Sequence, residues 1–230
     1  MVILNNKMHD TYDKTKKEKL KFKFNGFEKI EINYSQAYQD MFVLTMLNGK
    51  NNGTFVEIGT LHPTEISNTY LLEKQFGWWG ISIDINNIPE YCNMRESKLI
   101  VEDALKLDYV KLFKDCELPE HIDYLQLDIE PPENTLACLK MIPFNEYKFS
   151  VITFETDAYY ANDNIMQESR KILKDNGYEL VAKDVCNVSL EYPFEDWYVN
   201  KNFIDSSILD MFKSNLKNTA ENILLNKSDE

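Results

Sequence analysis

The chain has 230 residues and a formal net charge of −13, from 25 Lys and Arg against 38 Asp and Glu. That length suits one α/β domain with a full core and short terminal additions, and a polyanion such as DNA meets net repulsion from so acidic a chain. Nucleic acid is therefore not an expected partner. No apolar run approaches a membrane span, and Met1 to Asp13 is polar with no signal-peptide core, which reads as a cytoplasmic protein. Cys92, Cys116, Cys138 and Cys186 lie far apart without a C-x-x-C pair, so neither a zinc site nor a disulfide framework is expected.

In chain order, a lysine cluster comes first: Lys14, Lys16, Lys17, Lys19, Lys21 and Lys23, broken by Glu18. It reads as a solvated edge rather than a docking patch. From Lys19 to Ile32 apolar and polar residues alternate around Asn25-Gly26, which predicts a β-hairpin. Ser35 is placed to cap a helix carrying Tyr38, Phe42, Val43, Met46 and Leu47 at helical spacing, ended by Asn48-Gly49. Residues 1–33 are thus read as an N-terminal extension, 34–205 as the main domain, and 206–230 as a helix and tail.

Within 34–205, apolar runs at Thr54–Ile58, Gly80–Ile85, Lys98–Val101, Ile122–Asp128 and Lys148–Phe154 predict strands. Helices are expected near Glu65–Phe76, Asn86–Arg95, Leu107–Lys114, Glu133–Met141 and Asn164–Asn176. Such alternation predicts a mostly parallel sheet covered by helices on both faces. Tyr178–Val185 and Trp197–Val199 follow without an intervening helix, so the sheet ends in an antiparallel pair and totals seven strands. The fold class is α/β, Rossmann-like.

Ligands of open α/β sheets bind beyond the carboxyl ends of the strands, where strand order reverses. Five successive strands end there in acids: Glu57 with Gly59, Asp84, Asp103 with Ala104, Asp128 with Glu130, and Glu155 with Asp157. Asp84 suits two ribose hydroxyls, Asp103 beside Ala104 suits an adenine amino group, and Glu57 suits a positive group. A nicotinamide cofactor would need G-x-G-x-x-G to cradle its pyrophosphate, but Gly59 is followed by Thr60, Leu61, His62, Pro63 and Thr64. The cofactor expected is S-adenosylmethionine. Its predicted contacts are Gln36, Glu57, Gly59, Thr60, Asn68 and Thr69, with Asp84, Ile85, Asp103, Ala104 and Asp128. Asp40 is expected to help Gln36 close over it, and Trp78 and Trp79 are candidates to stack on adenine.

The sequence resembles the FkbM family of S-adenosylmethionine-dependent O-methyltransferases over about Tyr34 to Asn200. The likeness is carried by S-Q-A-Y-Q-D (Ser35–Asp40), F-V-E-I-G-T (Phe55–Thr60), S-N-T-Y-L-L-E (Ser67–Glu73) and G-W-W-G-I-S-I-D (Gly77–Asp84). It continues through V-E-D-A-L (Val101–Leu105), D-Y-L-Q-L-D-I-E (Asp123–Glu130), V-I-T-F-E-T-D-A-Y (Val151–Tyr159), S-R-K-I-L-K-D-N-G-Y (Ser169–Tyr178) and E-D-W-Y-V (Glu195–Val199). Relatives have a glycine-richer first turn, and E-H-D where Glu155-Thr156-Asp157 stands here. The resemblance implies a class I methyltransferase fold and methyl transfer to a hydroxyl. Sugars, including nucleotide sugars for a surface polysaccharide, lead as acceptors, with polyketides or other secondary metabolites as the alternative. A non-catalytic binding domain on the same fold is the reading from another class.

For the chemistry, an alcohol needs a base or a metal to take its proton. Residues two apart on a strand share a face, so Asp128 with Glu130 and Glu155 with Asp157 form two carboxylate pairs. One expectation is that Asp128, Glu155 and Asp157 hold Mg2+ or Mn2+ with Glu130 as a nearby base; the other is metal-free, with Asp128 or Glu130 as the base. His62 competes for the base role against a capping role beside Pro63, while His9 and His121 lie elsewhere. Glu195, Asp196 and Trp197 are expected to line the acceptor pocket. A homo-oligomer is left open.

Overall fold

The computed structural model describes residues 16–187, 189–212 and 217–226. His9 and Lys14, named above, lie outside them. The strands are β1 (Thr54–Ile58), β2 (Trp79–Asp84), β3 (Lys98–Val101), β4 (His121–Leu127), β5 (Lys148–Glu155), β6 (Glu179–Cys186), β7 (Pro193–Val199) and β8 (Asn218–Thr219). They form one sheet in the order β3-β2-β1-β4-β5-β7-β6-β8. β1 to β5 run parallel, and β7 runs antiparallel to both of its neighbours. This is the expected seven-stranded arrangement with one addition, the two-residue β8 beside β6.

The helices are α1 (Gln39–Met46), α2 (Tyr70–Phe76), α3 (Tyr91–Met94), α4 (Tyr109–Asp115), α5 (Pro132–Met141), α6 (Asp163–Asp175), α7 (Ser206–Phe212) and α8 (Ala220–Leu224). Side-chain alternation along the central strands feeds two apolar layers. Phe55, Tyr124, Val151 and Trp197 face α1, α2, α7 and α8, whereas Val56, Leu125, Ile152 and Tyr198 face α4, α5 and α6. Both faces of the sheet are therefore dry, which is why its strands read as continuous apolar runs. Among the described residues, no helix is long and apolar enough to cross a membrane.

Three sequence expectations need correction. The segment around Asn25-Gly26 forms no hairpin. Gly26, at φ 85°, turns the chain into a short 3-10 helix, Phe27–Lys29. Leu20, Phe24 and Ile30 instead enter the core beside α1 and α8. Backbone bonds tie this segment to the far end of the chain, Lys21 N to Leu224 O at 3.0 Å and Asn226 N to Lys19 O at 2.7 Å. The alternation was a real burial signal, but it is satisfied by helices and not by a partner strand.

The second correction concerns the start of α1, which follows Tyr38, a residue at φ 61°, although Ser35 does cap the first turn, its Oγ accepting from Asp40 N at 3.3 Å. The Asp40 side chain reaches back in turn, accepting from Tyr34 N at 2.7 Å and Ser35 Oγ at 2.6 Å. It is fully buried in that role and does not close over the cavity described below. Third, the helix expected from Glu65 begins only at Tyr70.

The irregular stretch 61–69 is held by Arg95, whose side chain is 0% exposed. Its guanidinium donates to Glu73 Oε2 at 3.0 Å, Pro63 O at 3.0 Å and Thr69 Oγ1 at 2.7 Å. Burial alone would raise the Glu73 carboxyl, but Arg95 and the backbone amide of Glu96 hold it below its ordinary value. Removing one partner of such a buried pair costs about 3–5 kcal/mol, because the other charge is left unpaired. Arg95→Ala is accordingly expected to lower unfolding free energy by about that amount in urea titration at neutral pH. Adding Glu73→Gln should restore part of the loss; an additive further loss would contradict the pairing.

Candidate active site

β1 and β4 are neighbours in the sheet, yet the segments that follow them leave for opposite faces, to α2 and α5. A crevice opens beyond their carboxyl ends, as strand order requires. It is a cavity of about 860 Å3. Gly59 stands at its floor with φ 89°, and a Cβ there would lie 1.6 Å from the Asp128 carbonyl oxygen. Only glycine lets the first turn pass so close to β4. The expected reason for Gly59, room for a ligand, is thus joined by a constraint between two strand ends.

The β1–β3 side of the cavity carries Glu57, Thr60, Asp84, Ile85, Asp103 and Ala104. Glu57 is buried and accepts from Ser82 Oγ at 2.6 Å, which in turn accepts from Tyr91 OH at 2.7 Å. Burial, then the Glu57 charge, push the Tyr91 phenol up to about 12. Asp84 accepts from Asn86 N at 2.7 Å. Asp103 accepts from Leu105 N at 3.0 Å and pairs with Lys106 at 3.2 Å; these two contacts hold its carboxyl below the usual value. Each acid therefore has one local backbone or hydroxyl partner and still borders the cavity.

The β4–β5 side carries Asp128, Glu130, Glu155 and Asp157. Burial and then the Asp128 charge push Glu155 well above its ordinary value, so Glu155 keeps its proton at neutral pH. Asp128 is raised mainly by burial. Asp157, 5% exposed, is pushed up to about 7 by burial, against a hydrogen bond from Tyr160 that lowers it. Tyr160 OH lies 3.0 Å from Glu130 and 3.1 Å from Asp157, bridging the exposed and buried acids.

This arrangement corrects the metal expectation. Asp128, Glu155 and Asp157 all border the β4–β5 side of the cavity. Among the described residues no three His, Cys, Asp or Glu side chains are grouped so as to hold a metal ion. That arrangement does not fit Mg2+ or Mn2+.

Other expectations fall both ways. Gln36 and Asn68 border the cavity. Thr69 does not: its hydroxyl is taken by Arg95. His62 borders the cavity, but its Nδ1 accepts from Thr64 N at 3.2 Å and Glu65 N at 2.9 Å, so the ring caps a turn rather than standing free as a base. Glu195, Asp196 and Trp197 do not line the cavity, contrary to the substrate role expected of them. They sit in β7, which is buried on both faces. Asp196 takes a bidentate pair from Arg170 at 2.7 and 2.8 Å. Trp197 stacks on Phe42 with ring centroids 4.4 Å apart and donates its Nε1 to Glu195. Trp78 is buried and donates to Lys50 O, and Trp79 is exposed outside the cavity. His121 stacks on Phe203 and does not line the cavity.

Several lining residues escaped sequence reasoning: Asn187 and Tyr192 from the β6–β7 connection, Phe194 at the start of β7, Tyr159 after β5, and Gln126 within β4. A usable signal existed for the first. β6 runs parallel to β5, so the strand-end rule applied to Cys186 would have nominated Asn187. Asn187 is 3% exposed, with neither Oδ1 nor Nδ2 partnered, and Asn68 at 8% exposure has an unpartnered Oδ1. Buried amides without partners are uncommon and call for a ligand or water.

Burial, more than any charge nearby, pushes the Glu195 carboxyl up to about 8 from 4.5. The folded chain then holds a proton there that the unfolded chain sheds, so this group destabilises the fold increasingly from about pH 4.5 to 8. Glu195→Gln should flatten the fall in stability across that window by on the order of a few kcal/mol, read from denaturant midpoints at several pH values. Parallel curves for the two proteins would show that Glu195 is ionised when folded.

No protein-family model matches the chain, and no curated protein does. Among solved structures it is similar to an rRNA methylase from Streptococcus thermophilus, with 13% identity, TM-score 0.47, and coverage of 70% of this chain and 94% of that one. A magnesium protoporphyrin IX methyltransferase from Synechocystis PCC 6803 with bound SAM shows 15% identity, TM-score 0.47, and coverage of 70% and 76%. A spermidine synthase from Thermotoga maritima shows 13% identity, TM-score 0.47, and coverage of 85% and 72%. None of these three reaches a TM-score of 0.5, so the fold assignment rests on the strand order and direction described above.

Proposed function

We propose that this chain is an S-adenosylmethionine-dependent methyltransferase acting on a hydroxyl of a small molecule. The observation that carries this reading is the cavity's charge. Eight carboxyl side chains border it and, among the described residues, no lysine or arginine does. A pyrophosphate cofactor would meet neither a cation nor a glycine-rich cradle there. The proposed cofactor supplies a methyl group carried on a positively charged sulfonium. Asp84 would take its ribose hydroxyls, and Asp103 with Ala104 its adenine. Asn68, with its unpartnered Oδ1, would accept from the ammonium of the methionine end.

The FkbM resemblance supports a hydroxyl acceptor and makes sugars and polyketide-like metabolites the candidate classes. A nucleotide-linked sugar would bring a diphosphate into a cavity lined by eight acids and, among the described residues, no lysine or arginine, which counts against that form of the acceptor. As the acceptor oxygen takes the methyl group, its proton must leave to a base. Asp157, with its carboxyl near 7, is matched to that task at neutral pH, and Tyr160 orients it. Glu155 keeps its proton and so limits the charge crowded around Asp157.

Differential scanning fluorimetry with S-adenosylhomocysteine tests the cofactor. At a hundredfold excess over Kd the fold should gain about 2.7 kcal/mol. A flat response to S-adenosylhomocysteine with a shift for NAD would sink the reading. For the base, transfer of labelled methyl to a small-molecule extract should rise with pH through about 7, since the unprotonated carboxylate is the active form. Asp157→Asn should still bind S-adenosylhomocysteine while losing about 10²–10⁴ in rate. An undiminished rate in that variant would move the base elsewhere.

A further inference from the structure

The part of the cavity at the ends of β4, β5 and β6 is left for the acceptor once the cofactor occupies the β1–β3 side. It holds the carboxyl cluster, the Asn187 amide and three aromatic rings, Tyr159, Tyr192 and Phe194. Tyr159 lies edge-to-face with Tyr192 at 6.0 Å and with Tyr160 at 4.7 Å, so the cluster is walled by a continuous run of phenol rings. Thr156 N and Asp157 N both donate to Phe194 O, at 2.6 and 2.9 Å, and Tyr159 N donates to Pro193 O at 3.1 Å. The carboxyl cluster, the rings and the β6–β7 connection are therefore one built unit rather than separate surface groups.

Three properties of this unit converge on one ligand chemistry. Acids without a neighbouring cation attract a positive group and penalise a negative one brought out of water. Aromatic faces add attraction for a cation. Asn187 offers one acceptor and one donor group, both buried and unpartnered, and so calls for a ligand presenting a donor and an acceptor close together.

We infer that the acceptor subsite takes a small molecule bearing a protonated amine next to a hydroxyl, and rejects phosphorylated or carboxylated analogues. This rests on reading the cavity as a joint cofactor and acceptor site. The ammonium lies over the Tyr159 and Tyr192 rings within reach of Asp157, which also faces the adjacent hydroxyl that Asn187 holds. Specificity comes from the absence of any lining cation among the described residues as much as from the acids present.

The test is calorimetric titration of the full chain, with and without saturating S-adenosylhomocysteine, using two series that differ chiefly in charge. One is 2-amino-1-phenylethanol, 1-phenyl-1,2-ethanediol and mandelate; the other is glucosamine, glucose and glucose 6-phosphate. In at least one series the ammonium member should bind tenfold or more tighter than the neutral one, with no heat from the anion. Asp157→Asn should erase that preference and Asn187→Ala should weaken binding of the amine, each checked for native circular dichroism. Asp175→Asn, an exposed acid outside the cavity, should leave it intact. The inference is overturned if an anionic member binds as tightly as its ammonium counterpart, if no ammonium member binds, or if Asp175→Asn erases the preference as fully as Asp157→Asn. Loss of S-adenosylhomocysteine binding alone overturns the cofactor reading instead, and the ligand-free titration still reports on the amine.

Discussion

The close approach of Gly59 to the Asp128 carbonyl governs this molecule. β1 and β4 are adjacent parallel strands, and their ends can lie side by side only if one of them lacks a side chain at the point of contact. From there the chain departs to opposite faces of the sheet, and the space between the departing segments is the cavity. Glu57, Asp84, Asp103, Asp128 and Glu155 border that space because their strands end at the same edge. A single residue without a Cβ thus positions the cofactor side against the acceptor side.

The cost of this design falls on the carboxyl groups. Burying acids near one another without a cation is unfavourable, and the protein answers by keeping some of them protonated. Burial pushes Glu155 well above its ordinary value and Glu195 up to about 8, so each keeps a proton at neutral pH. A cluster kept partly neutral tolerates burial, yet it gains most from a positively charged occupant. Stability and ligand choice are here two readings of one electrostatic fact.

Support for the site comes from a distance. Arg95, at the end of α3, gathers Pro63, Ser67, Thr69 and Glu73 and so gives an irregular stretch a fixed shape without a helix. On the other side, the packing of Leu20, Phe24 and Ile30 beside α1 and α8 seals the face of the sheet behind Trp197 and Phe42. Both devices use residues far apart in the chain to hold loops that the sheet alone would leave unsupported.

The strands, their parallel order and the row of acids at one edge were legible in the sequence. A strand buried on both faces is mostly apolar, and a polar residue inside it, such as Glu195 or Asp196, needs a buried partner there. Partner choice was not legible. The alternation from Lys19 to Ile32 announced a buried face but not whether a strand or a helix would cover it. The acids of Glu195-Asp196-Trp197 looked like pocket residues because local pattern does not reveal that Arg170 and Phe42 wait on either side of β7. Asp128, Glu155 and Asp157 could be read as metal ligands or as partly protonated acids from spacing alone. That distinction depends on which way carboxyl oxygens point after two strands are paired, and only the folded sheet decides it.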